Sequence, residues 1–372
     1  MNDQGYFRFS KIGVRIGIVA AYLSIIAVCL YTPIVYYLFS SNQRVLNIYT
    51  FTNNFKAELI QEFERFHNVR VNIRYFDSNE ELLAKFKING GDGYDIVTPS
   101  DYMVELLRDD GLLYKFDKAK LPIFAEIDPR LMRLYFDPNN DYSIPLMWFP
   151  YGIIYAKDIF DNSPDSVSYS LLFEDPKKQV NSVMRTYRTC MGDDYRESIV
   201  FASLYLYGEY DAARVDRLPA IKALLVQQKQ WVESYANQDL CYYLSADTVK
   251  VAVAPAVFVR KLMEQSEKFE FKIPQEGGLL VVESMVIPRQ ARNIELAYAF
   301  INFILGKEQA FQNSDFYGFN PTNKEAYQFI NKRFLENENF FPNDEQFKKL
   351  SILHNKIPVH EYEELWLAVK SD

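Results

Sequence analysis

Short apolar runs and helical stripes alternate along the body of the chain. Residues 46–49 form a brief apolar run of strand length, and Phe55, Leu59, Ile60, Phe63 and Phe66 then recur on one helical face. Val69, Val71, Ile73 and Tyr75 alternate with polar residues, the mark of a strand with one covered side. Ser78-Asn-Glu-Glu81 has the form of a capping box, opening a helix that carries Leu82, Leu83 and Phe86. Gly90-Gly-Asp-Gly93 stops that helix, and Asp95-Ile-Val-Thr98 reads as a third strand. Ser100 then starts a helix with Met103, Val104, Leu106 and Leu107, which Gly111 closes. Strand–helix alternation with connections this short predicts an α/β fold with parallel strands. Ligands of such sheets gather beyond the carboxyl ends of the strands, beside helix N-termini. Residues 49–54 and 98–102 are junctions of that kind.

The first 43 residues follow a different pattern. Residues 16–39 run for 24 positions without a charge, after Arg8, Lys11 and Arg15. A bilayer core needs about 20 helical residues, so this run is long enough to span. Secretory apolar segments are shorter, roughly 7–15 residues, and end at a small-residue site that is missing here. An uncleaved anchor is therefore favoured over a signal cleaved near Ser41. It is also favoured over a lipid on Cys29, because Ile26-Ala-Val-Cys29 resembles a lipobox but has Val before the cysteine. Basic residues ahead of the span keep the N-terminus in the cytoplasm and place the body outside.

With 372 residues, the chain is long enough for two units with separate cores. Its net charge is −8, and without residues 1–41 the remaining 38 basic and 48 acidic side chains give −10. An acidic body argues against nucleic acid, whose phosphates need a basic surface, and mildly favours cations. Cys190 and Cys241 are the two cysteines outside the apolar run, and the sequence leaves their pairing open. No Cys/His metal spacing appears, and no cofactor is expected.

Three strings carry a family resemblance: Tyr94-Asp-Ile-Val-Thr-Pro-Ser-Asp-Tyr102, Asp137-Pro-Asn-Asn-Asp-Tyr-Ser-Ile-Pro145 and Glu276-Gly-Gly-Leu-Leu-Val-Val-Glu-Ser-Met-Val-Ile-Pro288. In that order and spacing they resemble the landmarks of bacterial spermidine/putrescine-binding proteins, the substrate receptors of polyamine ABC importers. The resemblance implies a two-lobed periplasmic-binding-protein architecture of type II, with a ligand cleft between lobes and an N-terminal membrane helix ahead of them. It places strand crossings near 144–149 and 281–284. Residues 1–43 would be a cytoplasmic stub with an anchor or signal. Lobe one would be 44–147 plus 283–329, and lobe two 148–282 plus 330–372. The implied partners are a polyamine, a permease with its cytoplasmic ATPase, and the membrane. The implied location is the periplasm or the outer face of the inner membrane.

The resemblance also implies a set of ligand-binding residues. Asp194 and Glu197, in Asp193-Asp-Tyr-Arg-Glu197, match a pair of carboxylates at i, i+3 spacing on one helical face. Their plain alternative is an acidic first turn complementing the helix dipole. Glu283 falls where the family usually has Asp, and a strand edge facing water would also account for it. Ser100 and Tyr102 match a Ser-x-Tyr pair, although the serine alone reads as an N-cap. Phe51 stands at a Trp position, Asn54 at a Tyr position, and Phe319 of Gly318-Phe-Asn-Pro-Thr-Asn323 at another Tyr position. Two further Trp positions align with Val253 and Val281, which thins the aromatic walls. Tyr151, Trp148 and Trp231 are candidates to rebuild them.

Other classes have less behind them. His360-Glu-Tyr-Glu-Glu364 lacks the second histidine of a zinc helix, and no nucleophile elbow or phosphate loop appears, so no enzyme is expected. Tyr242-Tyr243 raises ferric iron as a ligand for a receptor of the same fold. A sugar or another small solute is equally open, as is an anchored interaction protein whose pocket has degenerated.

Overall fold

The computed structural model describes residues 4–40, 44–160, 164–179, 187–211, 214–236, 239–354 and 359–371. Helix α1 (Gln4–Ser40) comes first, and residues Arg15–Thr32 within it are apolar, exposed and long enough to cross a membrane. A signal sequence and an anchor both meet that description. The cleavage position considered near Ser41 lies outside the described residues.

The predicted alternation is present in the body. Strand β1 (Val45–Thr50) lies between β2 (Arg70–Tyr75) and β3 (Ile96–Val97), parallel to both, with Ile48 opposite Ile73 and Ile96. Helices α2 (Ala57–His67), α3 (Asn79–Asn89) and α4 (Asp101–Asp109) connect and follow these strands. Leu59, Ile60 and Phe63 of α2 are buried, whereas Phe66, the last member of the predicted stripe, is 82% exposed. Each buried side chain of this size contributes roughly 1.5–3 kcal/mol. Ser78 caps α3 by accepting the Glu81 amide at 3.2 Å. The box is not reciprocal: the Glu81 carboxylate turns to the Asp77 amide at 2.9 Å and the Tyr49 hydroxyl at 3.0 Å.

Two strands tie this first unit to a second. Strand β4 (Ser143–Ala156) is buried at all 14 positions. Its first half pairs antiparallel with β9 (Gly278–Val286), from Ser143 opposite Val286 to Pro150 opposite Leu280. From Tyr151 onward it pairs instead with β7 (Val251–Pro255) and β8 (Phe269–Lys272). Parallel strands β5 (Thr189–Met191) and β6 (Val232–Tyr235) extend the second unit beyond β7. At its other end β9 joins β3 through Val286 opposite Val97. The result is two parallel-strand lobes held together by β4 and β9. Short strand β10 (Asn320–Pro321) packs on β4, and β11 (Leu350–Ser351) on β9.

Cys190 and Cys241 are both free thiols. Each thiol points at a backbone carbonyl instead, Met191 for Cys190 and Phe258 for Cys241.

Candidate ligand-binding site

The first lobe brings polar side chains together where β1 and β3 end beside the start of α4 and the middle of β9. Asn54 donates to Glu283 Oε2 at 2.7 Å and lies 3.2 Å from Thr98 Oγ1, which in turn donates to Thr50 at 2.7 Å. Ser100 bridges antiparallel to Glu283, so the start of α4 and the middle of β9 share backbone contacts. Ser100 makes no capping bond with its side chain. Its hydroxyl accepts from Asn79 at 3.1 Å, and the same Asn79 amide reaches the Tyr102 hydroxyl at 3.1 Å. Ser100 thus holds the N-cap position of α4 as expected, but its hydroxyl oxygen accepts from the Asn79 amide, brought in by α3, and makes no capping bond.

In the second lobe, the Tyr195–Tyr207 helix starts against β9. Asp194 is its N-cap, accepting the Arg196 amide at 2.7 Å and the Glu197 amide at 3.4 Å. Both bonds fall on Oδ1, so Asp194 fills the plain structural role and keeps Oδ2 out of it. Glu197 is buried and accepts the Tyr151 hydroxyl at 2.6 Å, while its Oε2 has no partner.

Arg196 joins the two lobes. Its guanidinium is 3% exposed, pairs with Glu80 of α3 at 2.6 Å and lies 3.4 Å from the Tyr102 hydroxyl. The rings of Tyr102 and Tyr195 stand 4.7 Å away and that of Tyr362 5.8 Å away, an aromatic box from both lobes that the Arg196 guanidinium itself fills.

The candidate carboxyls are reluctant to ionise. Burial pushes Glu283 up to about 7, against the stabilising Asn54 bond. Glu283 keeps some contact with solvent, but protein surrounds its carboxyl closely enough to strip most of its hydration. Burial, followed by the charge of Asp194, raises Glu197 well above the usual carboxylate range. Asp194 is also raised by burial, with Arg196 opposing. Among the described residues no Lys, Arg or His forms an ion pair with Asp194, Glu197 or Glu283; the Arg196 charge goes to Glu80.

The aromatic candidates divide. Phe51 is partly buried and meets Phe76 edge-on at 4.2 Å, one residue beyond Thr50. Phe319 is buried and stacks with Tyr317 at 6.3 Å. Tyr151 belongs to the site through Glu197. Trp148 and Trp231 do not rebuild its walls, because their indole N–H groups are held by Pro321 and Leu172 carbonyls in packed interior. Val253 and Val281 are buried in β7 and β9. Tyr242 of the adjacent tyrosine pair is 70% exposed on a helix face, and among the described residues no three His, Cys, Asp or Glu are grouped to hold a metal ion.

Local reading passed over Asn79 and Glu80, which a capping pattern absorbs, and Arg196, whose partner lies 116 residues away. Asp101 was hidden in the same way inside Ser-x-Tyr.

Comparison with known proteins decides the family. Residues 58–348 match the family described as bacterial extracellular solute-binding protein. The chain belongs to that family. It is 29% identical over 323 residues to the spermidine/putrescine-binding periplasmic protein of Escherichia coli, covering 83% of this chain and 86% of that one. It is 27% identical over 353 residues to the putrescine-binding periplasmic protein PotF of the same organism, covering 89% and 93%. Among solved structures, the spermidine/putrescine ABC transporter substrate-binding protein PotD from Streptococcus pneumoniae superposes with a TM-score of 0.75 at 27% identity, over 88% of this chain and 99% of that one. The two-lobed α/β architecture expected from the resemblance is thus the architecture of this solute-binding protein.

Proposed function

We propose that this solute-binding protein is the extracytoplasmic receptor of an ABC importer, that it binds a di- or polyamine such as putrescine or spermidine, and that it hands the amine to a permease driven by a cytoplasmic ATPase. The ligand undergoes no chemistry. A polyamine is an apolar chain carrying ammonium groups, so its site needs carboxylates for the charges and flat walls between them. An ammonium buried without a partner is several kcal/mol unfavourable, so the carboxylates decide whether binding occurs.

One observation carries this reading. Asp194 and Glu197 come from one lobe and Glu283 from the strand joining the lobes, and among the described residues no basic side chain forms an ion pair with any of them. Phe51, Ser100, Tyr102 and Phe319 would line the cleft, with Asn54 fixing the Glu283 carboxylate. The lobes would divide as 44–147 plus 283–329 and 148–282 plus 330–372. Helix α1 would hold the protein at the outer face of the inner membrane, its N-terminus inside.

Calorimetry on the full-length chain in detergent, with putrescine, spermidine and spermine, tests the proposal. At least one amine binds, and Glu283→Ala and Asp194→Ala each weaken it tenfold or more. Folded protein giving no heat with any of the three overturns it. The thinner walls at Val253 and Val281 then favour a receptor for a different small solute.

A further inference from the structure

Asp101 occupies the first position of α4, between Ser100 and Tyr102, and is 1% exposed. One of its oxygens accepts the Tyr102 amide at 2.7 Å, whereas Oδ2 is buried without a hydrogen-bond partner. Glu197 repeats this arrangement from the other lobe, with Oε1 taken by Tyr151 and Oε2 buried and unpartnered at 9% exposure. Each carboxyl sits in the first turn of a helix packed on β9. The negative charge of Asp101 is felt at Glu197, and that of Glu283 is felt at Asp101. Buried polar atoms are rarely left without a partner, so two such oxygens beside one joining strand need an explanation. A primary ammonium offers three N–H donors and the missing charge.

We propose that Asp101 is a further ligand residue: its Oδ2 and Glu197 Oε2 are the acceptors, one from each lobe, that take a primary ammonium of the bound amine. The proposal rests on the amine-receptor reading above and adds to it a carboxyl that the family resemblance does not supply.

The surroundings of Asp101 fix the proton balance. Glu283 faces it from β9, Glu197 from the Tyr195–Tyr207 helix, and Tyr102, Tyr135 and Tyr210 complete the titratable neighbours. Burial is the main cause that lifts its carboxyl to about 8, with Glu283 adding to it and the Tyr102 and Val282 amides opposing. At pH 7 the empty site therefore holds Asp101 protonated. The arriving ammonium keeps its own proton, pairs with the carboxylate, and the carboxyl proton leaves to buffer.

Calorimetry of putrescine binding at pH 7, repeated in two buffers of different ionisation enthalpy, counts the protons released. With Asp101→Asn, affinity falls tenfold or more and the count drops by about one. Unchanged affinity, or lost affinity with an unchanged proton count, overturns the proposal, the second outcome marking a merely structural role. Should Asp101→Asn not fold, Asp101→Thr is read in the same way. If neither folds, the structure of the wild type with putrescine decides: an ammonium within hydrogen-bond reach of both Asp101 Oδ2 and Glu197 Oε2 supports the proposal, and an ammonium seated away from Asp101 Oδ2 overturns it. Wild type that binds no amine removes the receptor reading itself. Tight wild-type binding with an unaffected variant removes this inference alone.

Discussion

Replacing Glu283 by Gln should stabilise the empty protein while abolishing what it is for. The folded protein holds this carboxyl near 7, against an ordinary value of 4.5. An acid whose folded value is raised binds its proton more tightly when folded, so stability falls as pH rises from about 4.5 through about 7. The difference of some 2.5 units corresponds to roughly 3 kcal/mol lost above pH 7 at 1.36 kcal/mol per unit. Gln keeps an oxygen for the Asn54 amide, now 2.7 Å away, and carries no charge. Glu283→Gln should therefore gain about 2–3 kcal/mol at pH 8 and almost nothing at pH 4. Removing the charge leaves a bound ammonium short of a partner, a loss of about 3–5 kcal/mol for a buried pair, or at least a hundredfold in affinity. Denaturant unfolding at the two pH values, together with putrescine calorimetry, reads both effects. A variant no more stable than wild type at pH 8, or one that binds putrescine equally well, refutes the reasoning.

Three further outcomes follow from the same site. Putrescine affinity should rise tenfold or more between pH 6 and pH 8.5, because Asp101 near 8 and Glu283 near 7 must ionise while the amine stays charged; a flat profile contradicts this. Arg196→Gln removes the link between lobes, and because Glu80 is 44% exposed the loss in stability is modest, about 1–2 kcal/mol. The larger effect should be faster ligand release, read by stopped-flow fluorescence, and an unchanged off-rate would count against a clamp. Tyr151→Phe leaves both Glu197 oxygens without a partner and should destabilise the protein by about 1–3 kcal/mol in urea unfolding at pH 8.

The first lobe was readable because its strands and helices announce themselves locally. The alternation from Val69 to Tyr75 became β2, and Ser78 caps α3 as its pattern requires. Strand β4 offers no such signal, since burial on every side removes alternation and leaves an apolar run. The switch of its partners at Tyr151 is a property of the whole fold. Candidate residues at the site came from family resemblance, and only where a residue type was distinctive. Asn79, Glu80 and Arg196 have ordinary local explanations, and their contacts span sequence separations that no window includes. The indole partners of Trp148 and Trp231 are likewise remote carbonyls, which is why residue type alone left both as candidates for the cleft wall.

The most direct test is a structure of the protein with putrescine bound. The account predicts one ammonium within hydrogen-bond reach of Glu283 or Asp194 and the other at Glu197, with the alkyl chain against Tyr102. Putrescine seated elsewhere, for instance in the surface hollow lined by Asp175, Arg188, Gln230 and Lys250, with these carboxyls untouched, would contradict it.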